Sequence, residues 1–458
     1  MKKIILSVVA ILSLSSCGVY KKYKPATEVP ESLYGKNVAQ AVDTLDNLSN
    51  ISWKEFFTDP RLQALIEEGL QGNTDLQSAQ WRVKEAEAAL TAAKLAYLPS
   101  FNLAPNGNVT SFDKSKASWT YTAPITASWE IDLFNKVTNS KRQAKALMLQ
   151  SKEYKQAVQT QVIASIANTY YTLLMLDEQY RISKETAQTY KESVRAMKAM
   201  KNAGMVNDAG VSQMEATYFA VESSLQDMER SINEVENTLS ILMGRVPKRL
   251  ERGKLEEQQF PQDYKIGIPV QILANRPDIR AMEQALAQAF YATASARSAL
   301  YPSLSLNGVA GWTNDAGVAV LNPGKLILNA AGSLVQPIFN GGRLRANVKI
   351  AKARQEEAKL AFQQSLLNAG KEVNDALTQH QKAESKVKWR KKQIASLDNA
   401  VKKTELLMKH GPTSYLEVLT ARQTLLQARL AQATDNFESI QGMVNLYHAL
   451  GGGRDLQH

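Results

Sequence analysis

The chain has 458 residues, with 55 Lys and Arg against 44 Asp and Glu, a net charge of +11 and a single cysteine. One cysteine excludes a disulfide within the chain, and no run of ~18 consecutive apolar residues appears, so no transmembrane helix is expected. The positive balance would suit nucleic acid, an anionic membrane or an acidic partner, but its cations are mostly interleaved with acids, the pattern of a solvated helix surface.

Met1-Lys2-Lys3 is a short positive region and Ile4 to Leu14 an apolar core of signal-peptide length. It ends in Leu14-Ser15-Ser16-Cys17-Gly18, which resembles a bacterial lipobox. Residues 1–16 are therefore read as a lipoprotein signal peptide and Cys17 as the lipidated first residue of an exported chain, its palmitate-type lipid the one covalent cofactor expected. Residues 17–60 read as an extended tether with a reach of roughly 140 Å at ~3.3 Å per residue. Trp53-Lys54-Glu55-Phe56-Phe57 is the tether's first apolar cluster and docks its end. Asp59-Pro60 then opens a helix, Arg61 to Leu70, with Asp as N-cap and Pro in the first turn.

Gly72-Asn73-Thr74-Asp75 breaks that helix and caps the next, Leu76 to Leu98, which Pro99 stops. Asn275-Arg276-Pro277-Asp278 opens a helix of matching length that Pro302 stops, and Leu98-Pro99-Ser100-Phe101 matches Tyr301-Pro302-Ser303-Leu304. Phe134-Asn135 and Phe339-Asn340 each precede a long uninterrupted run that closes on a glycine, Gly204 or Gly411. Self-similarity this regular is a duplication. It divides the chain into a first repeat at 61–243, a linking segment at 244–275, a second repeat at 276–450 and a tail at 451–458.

Inside each repeat the period changes to two, at 100–134 and 302–338. Trp119, Tyr121, Ala123, Ile125, Ala127, Trp129 and Ile131 alternate with Thr120, Thr122, Pro124, Thr126, Ser128 and Glu130, a strand with one apolar and one polar face. Phe101 to Phe112 is its expected partner, and Pro124 weakens the strand locally by removing a ladder donor. Ser303 to Trp312 and Leu326 to Val335 form the second pair around a loop from Asn314 to Gly324. Four such strands could be a soluble sandwich or membrane strands, whose usual length is about 9–11 residues. In lipid an open sheet edge leaves backbone groups unpaired at several kcal/mol each. Membrane strands would then have to be shared between copies, two giving eight strands and three giving twelve with room for a lumen.

Lys136 to Ala203 and Arg343 to His410 hold no proline and are rich in good helix formers. Each predicts a helix near ~100 Å at about 1.5 Å per residue. Each turns tightly, through Gly204-Met205-Val206-Asn207-Asp208 or Gly411-Pro412-Thr413-Ser414-Tyr415, into a return helix at 211–243 or 416–450. Glycine past the helix end and Pro412 stop the long helices, and Ser414 with Glu417 is a capping box.

Chemistry is absent from this pattern. His380, His410, His448 and His458 share no ligand spacing, no phosphate loop or nucleophile elbow appears, and the chain is read as no enzyme. Lys386-Val387-Lys388-Trp389-Arg390-Lys391-Lys392 is read as a basic helix face, exposed or opposite an acidic partner, with no nucleic-acid role for an exported chain. Met197, Met200, Met205 and Met214 cluster near one turn and are read as packing rather than soft-metal ligands.

These residues resemble the TolC-like outer-membrane efflux channel family in its lipoprotein branch, the NodT- and OprM-type members. The resemblance rests on Trp53…Phe56…Asp59-Pro60-Arg61-Leu62, Trp129-Glu130-Ile131-Asp132-Leu133-Phe134, Arg276-Pro277-Asp278-Ile279-Arg280, Gln336-Pro337-Ile338-Phe339-Asn340-Gly341-Gly342-Arg343 and Leu446-Tyr447…Gly451-Gly452-Gly453. It implies a mainly α fold with membrane β: duplicated helical hairpins forming a trimeric α-barrel, and four strands per chain in a shared 12-stranded outer-membrane β-barrel. It implies a homotrimer anchored among outer-membrane lipids with a long periplasmic extension. The turns at 204–208 and 411–415 would meet a periplasmic adaptor and gate the duct, driven by an inner-membrane efflux pump. Thr413 and Ser414 stand where relatives often carry an acid. A duct for type I protein secretion, a periplasmic adaptor lipoprotein and a pore-free coiled-coil lipoprotein are the alternatives.

Overall fold

The computed structural model describes residues 19–25, 33, 48–113, 115–260, 274–313, 325–410 and 415–454. The leader, Cys17, most of the tether, the loop 314–324 and the turn residues Gly411, Pro412, Thr413 and Ser414 lie outside the described residues. Elements α1 (Trp53–Phe56), α2 (Pro60–Gly72) and α3 (Thr74–Leu95) are followed by β1 (Ser100–Leu103), β2 (Asn106–Thr110) and β3 (Ser118–Ile131). Then come α4 (Lys136–Asn202) and its return α5 (Asp208–Leu242). The order recurs in α6 (Pro277–Ser298), β4 (Ser303–Thr313), β5 (Lys325–Val335), α7 (Arg343–His410) and α8 (Tyr415–Ala449).

The long helices have 67 and 68 residues, and each return helix has 35. One constant offset relates Lys136 to Arg343, Asp208 to Tyr415 and Gly244 to Gly451. It even relates ion pairs of opposite sense: Lys198–Glu215 and Glu405–Arg422, each closing at 2.6 Å between a long helix and its return. The repeats part company where strand meets long helix. Asn135, at φ 55°, leads straight into α4, whereas Gly341 and Gly342, at φ 66° and 79°, stand between Asn340 and α7.

Two compact units are formed. One comprises residues 19–25, 81–153 and 280–365, and holds the sheet. Its strands run antiparallel in the order β1-β3-β4-β5, with β2 continuing β1 along the same side of β3. The strand expected from Phe101 to Phe112 is thus two pieces, because Pro105 offers no N–H between them. Pro124 does not interrupt β3. Its carbonyl accepts from Ala104 N–H at 3.1 Å, and opposite it lies Gly311, where a Cβ would sit 2.4 Å from the Ala123 carbonyl oxygen. The missing ladder donor is matched by a missing side chain.

The other unit comprises residues 33, 48–80, 154–279 and 366–454, among those described. Asp59 caps α2 as expected, accepting from Arg61 N–H at 2.9 Å. The cap of α3 is Asn73, which accepts from Leu76 N–H at 3.0 Å, so α3 begins earlier than Leu76. Ile182, Ala187 and Tyr190 of α4 pack with Met214, Val221 and Leu225 of α5 and Leu419 and Leu426 of α8 in one buried cluster. The tether's aromatic cluster does dock. Phe56 and Phe57 are fully buried, and Phe56 stacks on Tyr447 at 4.0 Å and 7°.

Candidate functional site: a two-faced sheet and the helix turns

Register turns the period-two pattern into two continuous faces. Ile125 pairs with Ala310 and Ala310 with Leu328, and Trp129 pairs with Leu306 and Leu306 with Gly332. Across β1–β5 that face carries Phe101, Leu103, Val109, Tyr121, Trp312, Leu326 and Leu334, and Phe101 and Leu328 are 69% and 72% exposed. The opposite face is Ser, Thr and Asn for most of its length: Asn102, Thr126, Asn307 and Asn329 are typical. Ser128 Oγ donates to Asn307 Oδ1 across it at 2.9 Å. Its acid, Glu130, is neutralised by Lys136 at 2.7 Å. Trp129 and Trp119 stand near opposite ends of β3, roughly 25 Å apart in height for strands tilted about 40°, the height of a lipid-facing band between aromatic girdles. Among the described residues both outer edges, β1/β2 and β5, have a partner on one side only.

The strand-to-helix junction is built by Asp132. Its carboxylate accepts from Val137 N–H (3.0 Å), Thr138 N–H (2.8 Å) and Thr138 Oγ1 (2.6 Å), capping α4. Phe134 then stacks on Tyr301 at 4.9 Å and 16°, and Ser298 Oγ donates to the Phe134 carbonyl at 2.8 Å. At the second junction Ile338 and Phe339 are 97% and 86% exposed.

At the first turn Gly204 has φ 72°. Its N–H donates to the Lys201 carbonyl and that of Met205 to the Met200 carbonyl, both at 2.9 Å, so the last carbonyls of α4 are satisfied. Asn207 caps α5 through Gly210 N–H at 3.0 Å, and Asp208 pairs with Lys201. Met205 is exposed and Val206 partly so. Tyr415, the described residue of the second turn, points inward. Its hydroxyl and that of Tyr190 are buried without a hydrogen-bond partner. Burial pushes both phenols up to about 12; Tyr190 adds to the rise at Tyr415, and Arg422 opposes it at both.

A family model described as outer membrane efflux protein matches the chain twice, at residues 65–245 and 268–452. The chain belongs to the outer membrane efflux protein family. It is 29% identical over 448 residues to the cation efflux system protein CusC of Escherichia coli (strain K12), covering 96% of this chain and 97% of that one. It is 28% identical over 417 residues to the toluene efflux pump outer membrane protein TtgC of Pseudomonas putida, covering 88% and 85%. The crystal structure of the open state of the Neisseria gonorrhoeae MtrE outer membrane channel superposes with a TM-score of 0.84 at 26% identity, covering 94% of this chain and 97% of that one. The protein is an outer-membrane efflux channel.

In this efflux protein other family-like motifs hold helix ends and the linking segment. Arg276 forms a two-point ion pair with Asp278 (3.0 and 2.6 Å), reaches Glu372 at 2.7 Å and donates to the Ala449 carbonyl at 3.0 Å, pinning the end of α8. Gly452 leaves no room for a Cβ against the Tyr447 ring, which would lie 2.4 Å away. Tyr170 joins the Asp59 cap to the linking segment, donating to Asp59 at 2.7 Å and accepting from Gly253 N–H at 3.0 Å. Lys386 and Arg390 of the basic run meet the buried Asp435 of α8, each at 2.9 Å. Met197 and Met214 are buried, and no metal-ligating group of His, Cys, Asp and Glu occurs among the described residues. Asp132, the β3–β4 pairing and the Tyr190–Tyr415 pair escaped sequence reasoning. A carboxylate just ahead of a helical run was the available signal for Asp132.

Proposed function

We propose that the protein is the passive, gated exit duct of a tripartite efflux system. It exports small toxic compounds with energy from an inner-membrane pump, reached through a periplasmic adaptor. The observation that carries this is the sheet: one unbroken apolar face, one largely uncharged polar face and, among the described residues, two open edges on a family member. Three copies would close those edges into twelve strands around a lumen, whereas two would leave eight strands filled by side chains.

The duplication supports one mode of closure. Within the chain β3 of the first repeat pairs with β4 of the second, and Phe134 packs on Tyr301. The repeat images of those surfaces are open: β5, β1, Phe339 at 86% exposure and Leu98 at 62%. Phe339 of one copy would cover Leu98 of the next, as Phe134 covers Tyr301.

The finer assignments are part of the same proposal. Residues 1–16 are the leader, Cys17 carries the lipid and 17–60 is the tether. The duplicated bodies are 61–243 and 276–450, joined by 244–275 and followed by the tail 451–458. Gly204, Met205, Val206, Asn207 and Asp208, with Gly411, Pro412, Thr413, Ser414 and Tyr415, form the adaptor-contacting and gating turns. Relatives of similar identity are named for cations and for toluene, so identity does not select the cargo. Purified protein reconstituted in planar bilayers should conduct ions, more so after substitutions that loosen the turns. A complete lack of conductance in wild type and turn variants alike would overturn the duct.

A further inference from the structure

The chain's positive charge is not spread evenly. Residues 19–25, 88–99, 133–152, 284–301 and 340–355 hold fifteen Lys and Arg and no Asp or Glu. Those cations outnumber the net charge of the whole chain, +11. All five stretches belong to the unit that carries the sheet, and four of them border a junction between strand and helix. The two acids at the end of β3 are already engaged, Glu130 with Lys136 and Asp132 as the cap of α4. The first acids beyond the collar are Glu153 and Glu356, about 25 and 20 Å along α4 and α7 at 1.5 Å per residue.

Part of this collar lies directly beneath the apolar face. Trp129, on that face, donates its indole N–H to the Tyr97 carbonyl at 2.8 Å. The Tyr97 hydroxyl meets Thr138 Oγ1 at 2.7 Å, and the Lys141 ammonium lies 5.2 Å from the centre of the Tyr97 ring. Arg142 lies 5.9 Å from the Tyr291 ring, whose hydroxyl accepts from Tyr23 N–H at 3.3 Å. Segment 19–25 is fixed to the same junction: the Val19 carbonyl accepts from Asn139 Nδ2 at 3.1 Å, and the Tyr20 hydroxyl donates to the Leu133 carbonyl at 2.9 Å. That segment presents Lys21, Lys22 and Lys24, all exposed. Like Lys141 and Lys145, they have no acid partner among the described residues.

The chemistry that fits such a surface is a plane of phosphates. A headgroup layer is about 5–8 Å deep on each side of the hydrocarbon, and the field of an anionic leaflet reaches about 8 Å further at physiological salt. Lys141 and Lys145 lie about 8 and 14 Å along α4, inside that reach, and the acids begin only beyond it. We propose that the collar binds the anionic phospholipid headgroups of the periplasmic leaflet. Phosphates of a phosphatidylglycerol-type lipid are drawn to Lys21, Lys22, Lys24, Lys141 and Lys145, as to any basic segment beside a membrane. This rests on the reading of the apolar face as the one in lipid. It gives the chain's positive surplus a partner and sets the depth at which the sheet sits.

The test reconstitutes the full protein in vesicles of phosphatidylethanolamine and phosphatidylglycerol, extracts it in mild detergent and analyses the retained lipid by mass spectrometry. Wild type should hold phosphatidylglycerol enriched roughly three- to tenfold over the vesicle composition, less so at high salt. Lys21→Gln, Lys22→Gln, Lys24→Gln, Lys141→Gln and Lys145→Gln together should abolish the enrichment. Arginine at the same five positions should keep it, which separates charge from folding. Lys388→Gln, Lys391→Gln, Lys392→Gln, Lys402→Gln and Lys403→Gln remove equal charge from the far part of α7 and should leave it unchanged. Wild type at the vesicle composition, or equal losses in the two glutamine variants, overturns the collar. So does a collar variant with altered pore selectivity and unaltered lipid, which would place these lysines on the lumen. Conductance of the same samples tests the duct separately. A conducting protein without enrichment overturns the collar alone, whereas enrichment on a protein that never conducts, turn variants included, supports the collar and overturns the duct.

Discussion

The two repeats share a design and differ in company. In the first, β3 has neighbours on both sides and Phe134 is stacked, whereas in the second β5 has one neighbour and Phe339 is bare. Helix α8 meets both α7 and α4, whereas its image α5 leaves Phe219 in solvent. Local chemistry does not explain this, since the left-handed glycines Gly244 and Gly451 and even the long-helix ion pair recur in both halves. The difference is topological: a repeat that meets its successor within the chain is covered, and the last surface is left open.

The largest test of that difference compares Ile125→Arg with Leu328→Arg. The two share one row of the sheet through Ala310, β3 on one side and the open strand β5 on the other. A lipid-facing arginine near mid-membrane costs about 2–4 kcal/mol. If β5 is as enclosed in the assembled wall as β3, both variants should lose outer-membrane assembly to the same degree, measured as heat-resistant oligomer. Asn329→Arg, one residue along on the polar face, should assemble normally and shift ion selectivity towards anions.

Glycines come next. Gly244 and Gly451 are images with φ 69° and 91°, and a Cβ would fall 2.1 Å from the Gly72 carbonyl oxygen and 2.3 Å from that of Asn275. Alanine at either should cost about 2 kcal/mol or more in thermal unfolding. Gly204→Ala, at φ 72° with nothing within 4 Å, should cost only the left-handed backbone, about 1–2 kcal/mol. Equal losses at all three would remove the packing argument.

Acid lability should belong to the second repeat. Burial first, and then Arg276, hold His448 below the ordinary imidazole range. Burial opposes ionised Asp278, but its hydrogen bonds and charge pairing with Arg276 win and hold it below the usual carboxylate range. Both depressed groups leave the unfolded chain binding protons first, so stability is full above an unfolded imidazole pKa of about 6.5 and falls with pH below it. The melting temperature should drop between pH 7 and 5, and His448→Asn should flatten that slope. The smallest effect is expected of Lys198→Glu, about 0.2–1 kcal/mol, recovered by Glu215→Arg, which recreates the sense of the Glu405–Arg422 pair.

Much of this was legible from residues alone. Uninterrupted helix formers delimit α4 and α7 almost to the residue, because only proline and glycine end such helices and none intervenes except Gly370. Alternation identified both faces of β3 because membrane and lumen demand opposite polarity. What escaped was non-local. Nothing near Pro124 in the chain announces Gly311, and periodicity does not say that β3 pairs with β4. The stretch from Gly72 to Asp75 was legible as a cap, but not that Asn73 within it supplies the cap, because that depends on where the chain enters α3. The turn residues Gly204 to Asp208 were visible as a stop signal, but the packing of Tyr415 against the cluster that holds Tyr190 needs helices far apart in sequence.

The central claim is that this chain's open surfaces are completed by copies of its own closed ones. Native mass spectrometry of the full protein in lipid nanodiscs tests it most directly. Three chains per particle is the result this account requires. A single chain, or a closed pair of eight strands, would contradict it.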